Sequence, residues 1–365
     1  MVETGSFYQF VQRVGPSHNL LCDYFLPDNN NLTFTDTKNV ATVTILDNLE
    51  TNLPTVVASG AMHLCANNQA YLMFCKCDLK YGMKSVTIEE CEQDKYCLKI
   101  DKCRQRCMKI SGVWNKDVDY SRLPIYYSAF EDRQQQHLLV HVYEQLVDIT
   151  LKTRNMDVCK NITVDLYDTD FTEKTRQLYR DLMGFMVADK ARYFQISIEK
   201  SSLQTIIANK QTRNEEVTYM ELNSENEFHF FEYDSIVTFM NRHDYLGSLY
   251  HINGVSGVVA IEKQQPIGYG IAVNNSILQC YADTPEIAGK LSGKFSSGLI
   301  RKLSDKMSDQ IPITMFMREC NSWICKELLN KARQVNRIHR FHSRILPTRI
   351  KWENVFLMNI GTHLF

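Results

Sequence analysis

The sequence of 365 residues has no apolar run of about 18 residues, the length that a membrane span needs. It shows no low-complexity tract and no short-period repeat. The first residues, "MVETGSFYQFVQRVG", lack the basic start and apolar middle of a signal peptide. Neither sign of charge is in surplus, with Lys+Arg 41 against Asp+Glu 42. That balance marks neither a nucleic-acid surface nor an acidic tail. The expectation is a soluble, intracellular, cytoplasmic chain with no membrane partner. What is present is ample apolar matter, 44% of residues, in a chain long enough for two domains.

Cysteine is plentiful. The chain has 12, and seven of them are Cys65, Cys75, Cys77, Cys91, Cys97, Cys103 and Cys107. Without an export signal, disulfides are not expected, because cytosolic thiols stay reduced. Zinc sites usually draw paired ligands two to four residues apart, twice. Here Cys75 and Cys77 have one residue between them, and Cys103 and Cys107 have three. A zinc module and buried thiols acting as small hydrophobes are both open on this spacing. No metal ligand set is assigned.

Strand-like runs rich in Thr and Val, such as "NLTFTDTKNVATVTILD", and others such as "AYLMFCKC" and "YCLKI" fill the first third. From Leu123 the order is strand ("LPIYYSAF"), helix, strand ("NITVDLY"), helix, Gly-Phe, strand. In the first helix Leu138, Leu139, Val142, Leu146 and Val147 recur at threes and fours, one apolar face. Two strands joined by a helix are expected to lie parallel. The second helix, "DTDFTEKTRQLYRDL", has Asp170 or Thr172 as its N-cap. A polar stretch, Ile198 to Phe228, is the expected seam between domains.

That order, with Leu178, Tyr179, Gly184 and Phe185 at the helix-to-strand turn, resembles the C-terminal half of a GNAT N-acetyltransferase domain. Met183 adds one residue to the usual spacing, so the helix end is expected to bulge. In the second half, Tyr281, Ala282, Asp283, Pro285, Ala288 and Leu291 resemble the C-terminal domain of the YitH-like tandem acetyltransferases. There Asp283 or Thr284 is the expected N-cap, with Pro285 in the first turn. Asn321, before a helix with a Leu-Leu pair, and the closing "WENVFLMNI" continue the match. "YDSIVTFMNRHDYLGSLY" is the expected helical start of this half. The fold this implies is α/β (α+β): two tandem GNAT-like domains, each a mixed, mainly antiparallel sheet flanked by helices. Residues 1–205 form the first, 206–227 a linker and 228–365 the second.

The resemblance implies an acyl-CoA-dependent N-acyltransferase, with acetyl-CoA as cofactor and an amine on a small molecule or protein as acceptor. The alternative is an inactive tandem GNAT that binds a ligand or a protein. In the family, a Gly-rich loop at a helix N-terminus holds the coenzyme's pyrophosphate. The aligned residues here are Arg133, Gln134, Gln135, Gln136, His137 and Leu138, with the helix starting near Gln135. The leading Arg is kept and both glycines are replaced, so Gln136 and Leu138 put side chains where phosphate oxygens would sit. Thr172 stands in place of the family's asparagine. The oxyanion donor implied is a backbone N–H near Tyr127, Ser128, Ala129 and Phe130. Tyr179 is the implied acid, and a packing tyrosine otherwise. Glu131, with Asp132 beside it, is the base by position, and a solvated loop carboxylate otherwise. His137 and His141, one turn apart on the expected helix, lack a third metal ligand and read as surface or phosphate-edge histidines. From Lys331 to Trp352 the chain carries seven basic residues and no acid. That tail reads as a phosphate or nucleic-acid patch, or as a helix end and loop with favourable basic residues.

Overall fold

The fold is that of a computed structural model, which describes residues 40–47, 55–66, 69–77, 85–92, 95–100, 108–112, 136–151, 160–208, 217–250, 254–289, 298–346 and 349–358. The chain divides into two compact units. One comprises Met1–Val164, Thr172–Met186 and His342–Arg344; the other comprises Asp165–Phe171, Val187–Phe341 and Ile345–Phe365.

In the first unit β1 (Val40–Asp47), β2 (Thr55–Ala66) and β3 (Gln69–Cys77) run antiparallel in order. A small sheet follows, built from β4 (Ser85–Glu92), β5 (Lys95–Ile100) and β7 (Gln136–His137). Between them β6 (Met108–Gly112) adds to the far edge of β1. Helix α1 (Leu138–Leu151) then crosses back, and β8 (Asn161–Tyr167) pairs parallel with β3 from Gln69↔Asn161 to Leu72↔Val164. The expected apolar face of α1 is real: Leu138, Val142 and Leu146 are fully buried. Each such side chain contributes about 1.5–3 kcal/mol of burial. Gly60 on β2 lets the helix come close, since a Cβ there would stand 2.8 Å from Leu146 Cδ1 and 2.9 Å from Val142 Cγ1.

The parallel partner of β8 among the described residues is β3; the run Leu123–Phe130, expected as such a partner, lies outside the described residues. A helical crossover sets the direction of the strand it delivers. It does not oblige the strand before it in sequence to be the neighbour, and here β4 to β7 intervene.

After β8 comes a short helix, α2 (Glu173–Gln177), capped by Thr172, whose Oγ1 accepts from Thr175 N at 3.2 Å. It continues as a π turn over Leu178–Leu182. The second unit begins its sheet with β9 (Val187–Ala188) and β10 (Tyr193–Ile198), then α3 (Lys200–Ala208), β11 (Thr218–Glu221), α4 (Glu227–Thr238) and α5 (His243–Tyr250). The helical start expected at Tyr233–Tyr250 is therefore present. Then follow β12 (Val255–Glu262), β13 (Gln265–Val273), β14 (Ser276–Ala282), α6 (Pro285–Ala288), α7 (Leu299–Asp305), β15 (Ile313–Arg318), α8 (Trp323–Lys331), β16 (Gln334–His342) and β17 (Val355–Leu357). The sheet order is β11-β12-β13-β14-β15-β10-β16. The pairs are antiparallel except β14 with β15. Residues of the expected seam are part of this unit: Leu203, Ile206 and Ile207 of α3 join Val258, Leu303 and Met315 in its core.

Each unit is thus of the expected α/β class, a mixed and mainly antiparallel sheet with helices. No helix among the described residues is long and apolar enough to cross a membrane. The basic tail is placed as follows. It runs from the end of α8 at Lys331 through a strand, β16, into non-strand residues after His342. Arg340 forks onto Asp165 at 2.8 and 2.7 Å, and Arg333 pairs with Glu199 at 2.9 Å.

Candidate functional site

Of the residues singled out in the first half, Tyr127, Ser128, Ala129, Phe130, Glu131, Arg133, Gln134 and Gln135 lie outside the described residues. The rest are placed as follows. Gln136 and His137 are not the first turn of the helix. They form β7, with Ser85 opposite His137 and Val86 opposite Gln136. Pairing with β4 gives this backbone partners that a helical turn would not. Helix α1 therefore starts at Leu138, and that side chain lies in the core rather than in a phosphate cradle. His137 and His141 do not share a helix turn, because His137 is in a strand. The first turn of α1 carries no acidic side chain. Its partial positive charge is left uncompensated by the helix itself.

Tyr179 sits inside the π turn. The expected bulge is there in hydrogen bonds: Met183 N donates to Leu178 O at 3.0 Å and Phe185 N to Tyr179 O at 2.9 Å. The extra residue is absorbed as one widened turn. Gly184 then leaves with φ of 79°, where glycine has no Cβ to clash. Phe185 is 1% exposed and Tyr179 8%. Their rings meet tilted at 5.9 Å, and Phe185 meets Tyr143 at 5.5 Å. Cys75 is buried in the same unit. Its Sγ donates to Leu139 O at 3.5 Å, and burial pushes its thiol well up. It behaves as a small hydrophobe.

The second unit has the other parallel pair. Strands β14 and β15 begin together, at Ser276↔Thr314 and Ile277↔Met315. Further along, β14 turns the same edge to β17, with Cys280 opposite Leu357 and Tyr281 opposite Val355. Met358 N donates to Phe316 O of β15 at 2.9 Å. So β17 fills the notch between the parting strands. A latch holds it there. Asn354, next to β17, donates to Asp283 Oδ1 at 3.0 Å and to the Tyr233 hydroxyl at 3.1 Å, while Tyr233 donates to Asp283 at 2.7 Å. Asp283 is thus spent on the latch. Thr284 is the N-cap of α6, accepting from Ile287 N, with Pro285 in the first turn as expected.

On the α4 side of the same sheet lies a fully buried ion pair, Asp234 with Arg242. Arg242 Nε donates to Asp234 Oδ2 at 3.0 Å, and Tyr269 donates to Oδ1 at 2.7 Å. Against the burial that disfavours charge, the carboxylate holds the guanidinium protonated. Periodicity gave no sign of this pair. Its signal was a mid-helix Asp with Phe230 and Val237 one turn to either side. The expected Asn321 is an exposed residue, and Ser322 caps α8, accepting from Cys325 N at 3.3 Å.

For a coenzyme with a phosphate end and an extended amide arm, the two units differ. In the second, β17 lies between the parallel strands. In the first, the first turn of α1 carries no acidic side chain and opens on the buried Leu138.

Residues 27–187 match the family model of a domain of unknown function, DUF7596. No curated protein matches the sequence. Among solved structures, a tandem GNAT protein from the clavulanic acid biosynthesis pathway is similar at 9% identity and a TM-score of 0.44, over 95% of this chain and 96% of that one. A Pyrococcus horikoshii protein, whose acetyltransferase assignment is itself provisional, is similar at 13% identity and a TM-score of 0.43, over 84% of this chain and 76% of the other. A GCN5-related N-acetyltransferase from Kribbella flavida is similar at 9% and 0.29, over 53% and 72%. None of these identities reaches the level at which chemistry is inherited with a fold.

Proposed function

We propose that the chain is an acyl-CoA-dependent N-acyltransferase, acetyl-CoA being the donor and an amine on a small molecule or protein the acceptor, with the first unit as the transfer unit. The reading is supported by one arrangement. Parallel strands β3 and β8 are joined through α1, whose N-terminus carries no acid, and Tyr179 lies on the turn that follows β8. Backbone N–H groups at Leu138 and beyond, with Arg133 ahead of them, would hold the pyrophosphate. The bound thioester would supply the acyl group. Tyr179 would give a proton to the departing sulfur and Glu131 would take one from the amine.

Titration calorimetry of the full chain with acetyl-CoA tests the cofactor. Binding that weakens in Arg133→Ala is the expected result. No heat at millimolar acetyl-CoA would overturn the donor. The acid is tested separately. In Tyr179→Phe, turnover should fall by about 10²–10⁴-fold with acetyl-CoA affinity unchanged. Unchanged turnover would leave Tyr179 as a packing ring.

A second reading, a binding module without transfer, is favoured by β17 in the second unit's notch. Acetyl-CoA binding without turnover on any amine tested would select it.

A further inference from the structure

Two of the described cysteines, Cys320 and Cys325, stand at the start of α8 in the second unit. Cys320 is partly exposed, two residues before the cap, and Cys325 is fully buried in the first turn. Ser322 connects them. Its Oγ accepts the Cys325 N–H at 3.3 Å and lies 3.0 Å from Cys320 Sγ. Toward a Cys320 thiolate, which has no proton to give, the hydroxyl is the donor. Cys325 belongs to the unit's core cluster, and Cys320 packs against that same cluster.

The charges around the pair favour a thiolate on the exposed member. Arg318, at the end of β15, acts on Cys320, and its Nε is buried with no hydrogen-bond partner among the described residues. The guanidinium lies 4.5 Å from the Trp352 ring centroid. Of the nearby acids, Glu319 pairs with Arg192 at 3.5 Å, and Glu286 accepts from Trp323 Nε1 at 3.0 Å.

We propose that Cys320 is a reactive thiol that hydroperoxides oxidise and that Cys325 resolves, closing a reversible disulfide across the N-terminus of α8. The Cys320 thiolate attacks one peroxide oxygen. The S–O bond forms, the O–O bond breaks, and the leaving hydroxide takes a proton to become water. The Cys325 sulfur then attacks the sulfenic sulfur. The S–S bond forms, the S–O bond breaks, and the second hydroxide leaves as water with the Cys325 proton. Two thiols lose two electrons, and hydrogen peroxide gains them.

The neighbouring Cys325, then Ser322 and the charge of Arg318, lower the Cys320 thiol below the ordinary cysteine value despite partial burial, which raises its thiolate fraction at a given pH.

The test treats the reduced full chain with one equivalent of hydrogen peroxide at pH 6, then alkylates and maps the peptides. The expected result is a Cys320–Cys325 disulfide that resists alkylation and is reopened by dithiothreitol. In Cys325→Ser, Cys320 should accumulate sulfenic acid and take a dimedone label. In Cys320→Ser, Cys325 should stay reduced. The proposal is overturned if wild-type Cys320 remains alkylatable, if it pairs with another cysteine, or if Cys325 oxidises equally fast in Cys320→Ser. The wild-type map stands whether or not either variant folds.

Discussion

At Gly184 the backbone enters the left-handed region, φ 79°, and a Cβ placed there would meet nothing within 4 Å. A substitution is therefore opposed by conformation alone. Gly184→Ala should destabilise the chain by about 1–2 kcal/mol, and Gly184→Asn by less, because Asn tolerates this region. Urea unfolding measures both; equal losses would mean that packing is responsible after all. This residue was legible in the sequence. A Gly-Phe pair after an amphipathic run signals a helix end, and one surplus residue, Met183, signalled the widened turn. The environment of Tyr179 was not. Whether a tyrosine faces a ligand or the Phe185 ring depends on tertiary packing, which spacing does not encode.

At the scale of elements, close approach governs the first unit. Gly60→Ala would press a methyl group against Leu146 and Val142 of α1 and against Phe74 O at 3.1 Å. The expected loss is about 1–3 kcal/mol. Leu146→Ala alone should lose about 2–5 kcal/mol. In the double variant the two losses should sum to less than their total, since each relieves the other; strict additivity in a thermal-unfolding cycle would show that α1 shifts instead. The face of α1 was readable because a 3.6-residue period survives in Leu138, Val142 and Leu146. The partner of β8 was not readable. Strand neighbours are chosen by apolar faces meeting across the fold, and β3 lies far back along the chain. The site on β7 was missed for a like reason: two residues carry no periodicity, and their strand character comes from β4. The Cys320–Cys325 pair left a faint trace, since Ser322 ahead of "WIC" marks a cap with thiols on both sides.

At the scale of the whole chain, the units are interleaved in sequence, and this bears on fragments. Within the first unit, β8 depends on late residues. Ile162 N donates to Ser343 Oγ at 2.9 Å, Ser343 N to Ile162 O at 2.8 Å, and Arg344 N to Asn161 Oδ1 at 3.1 Å; Thr163 meets His342 Nδ1 at 2.9 Å. A fragment of residues 1–205 loses them all. Each buried group left unmatched costs about 1–3 kcal/mol, so the fragment should show no cooperative unfolding transition, whereas the full chain should. A sharp transition in the fragment would contradict this dependence. In the second unit the consequence concerns competition. β17 is tied to its notch by a tether of the same chain, so its local concentration does not fall on dilution, and short tethers place such segments in the millimolar range. Any outside strand or amide-bearing guest meets a rival that can never be washed away. If β17 is in place about a thousand times more often than out, that guest binds about a thousandfold more weakly than its own contacts would allow. The Asp283–Tyr233–Asn354 latch sets that ratio, so loosening one hydrogen bond there would tune the selectivity of the notch without touching its walls.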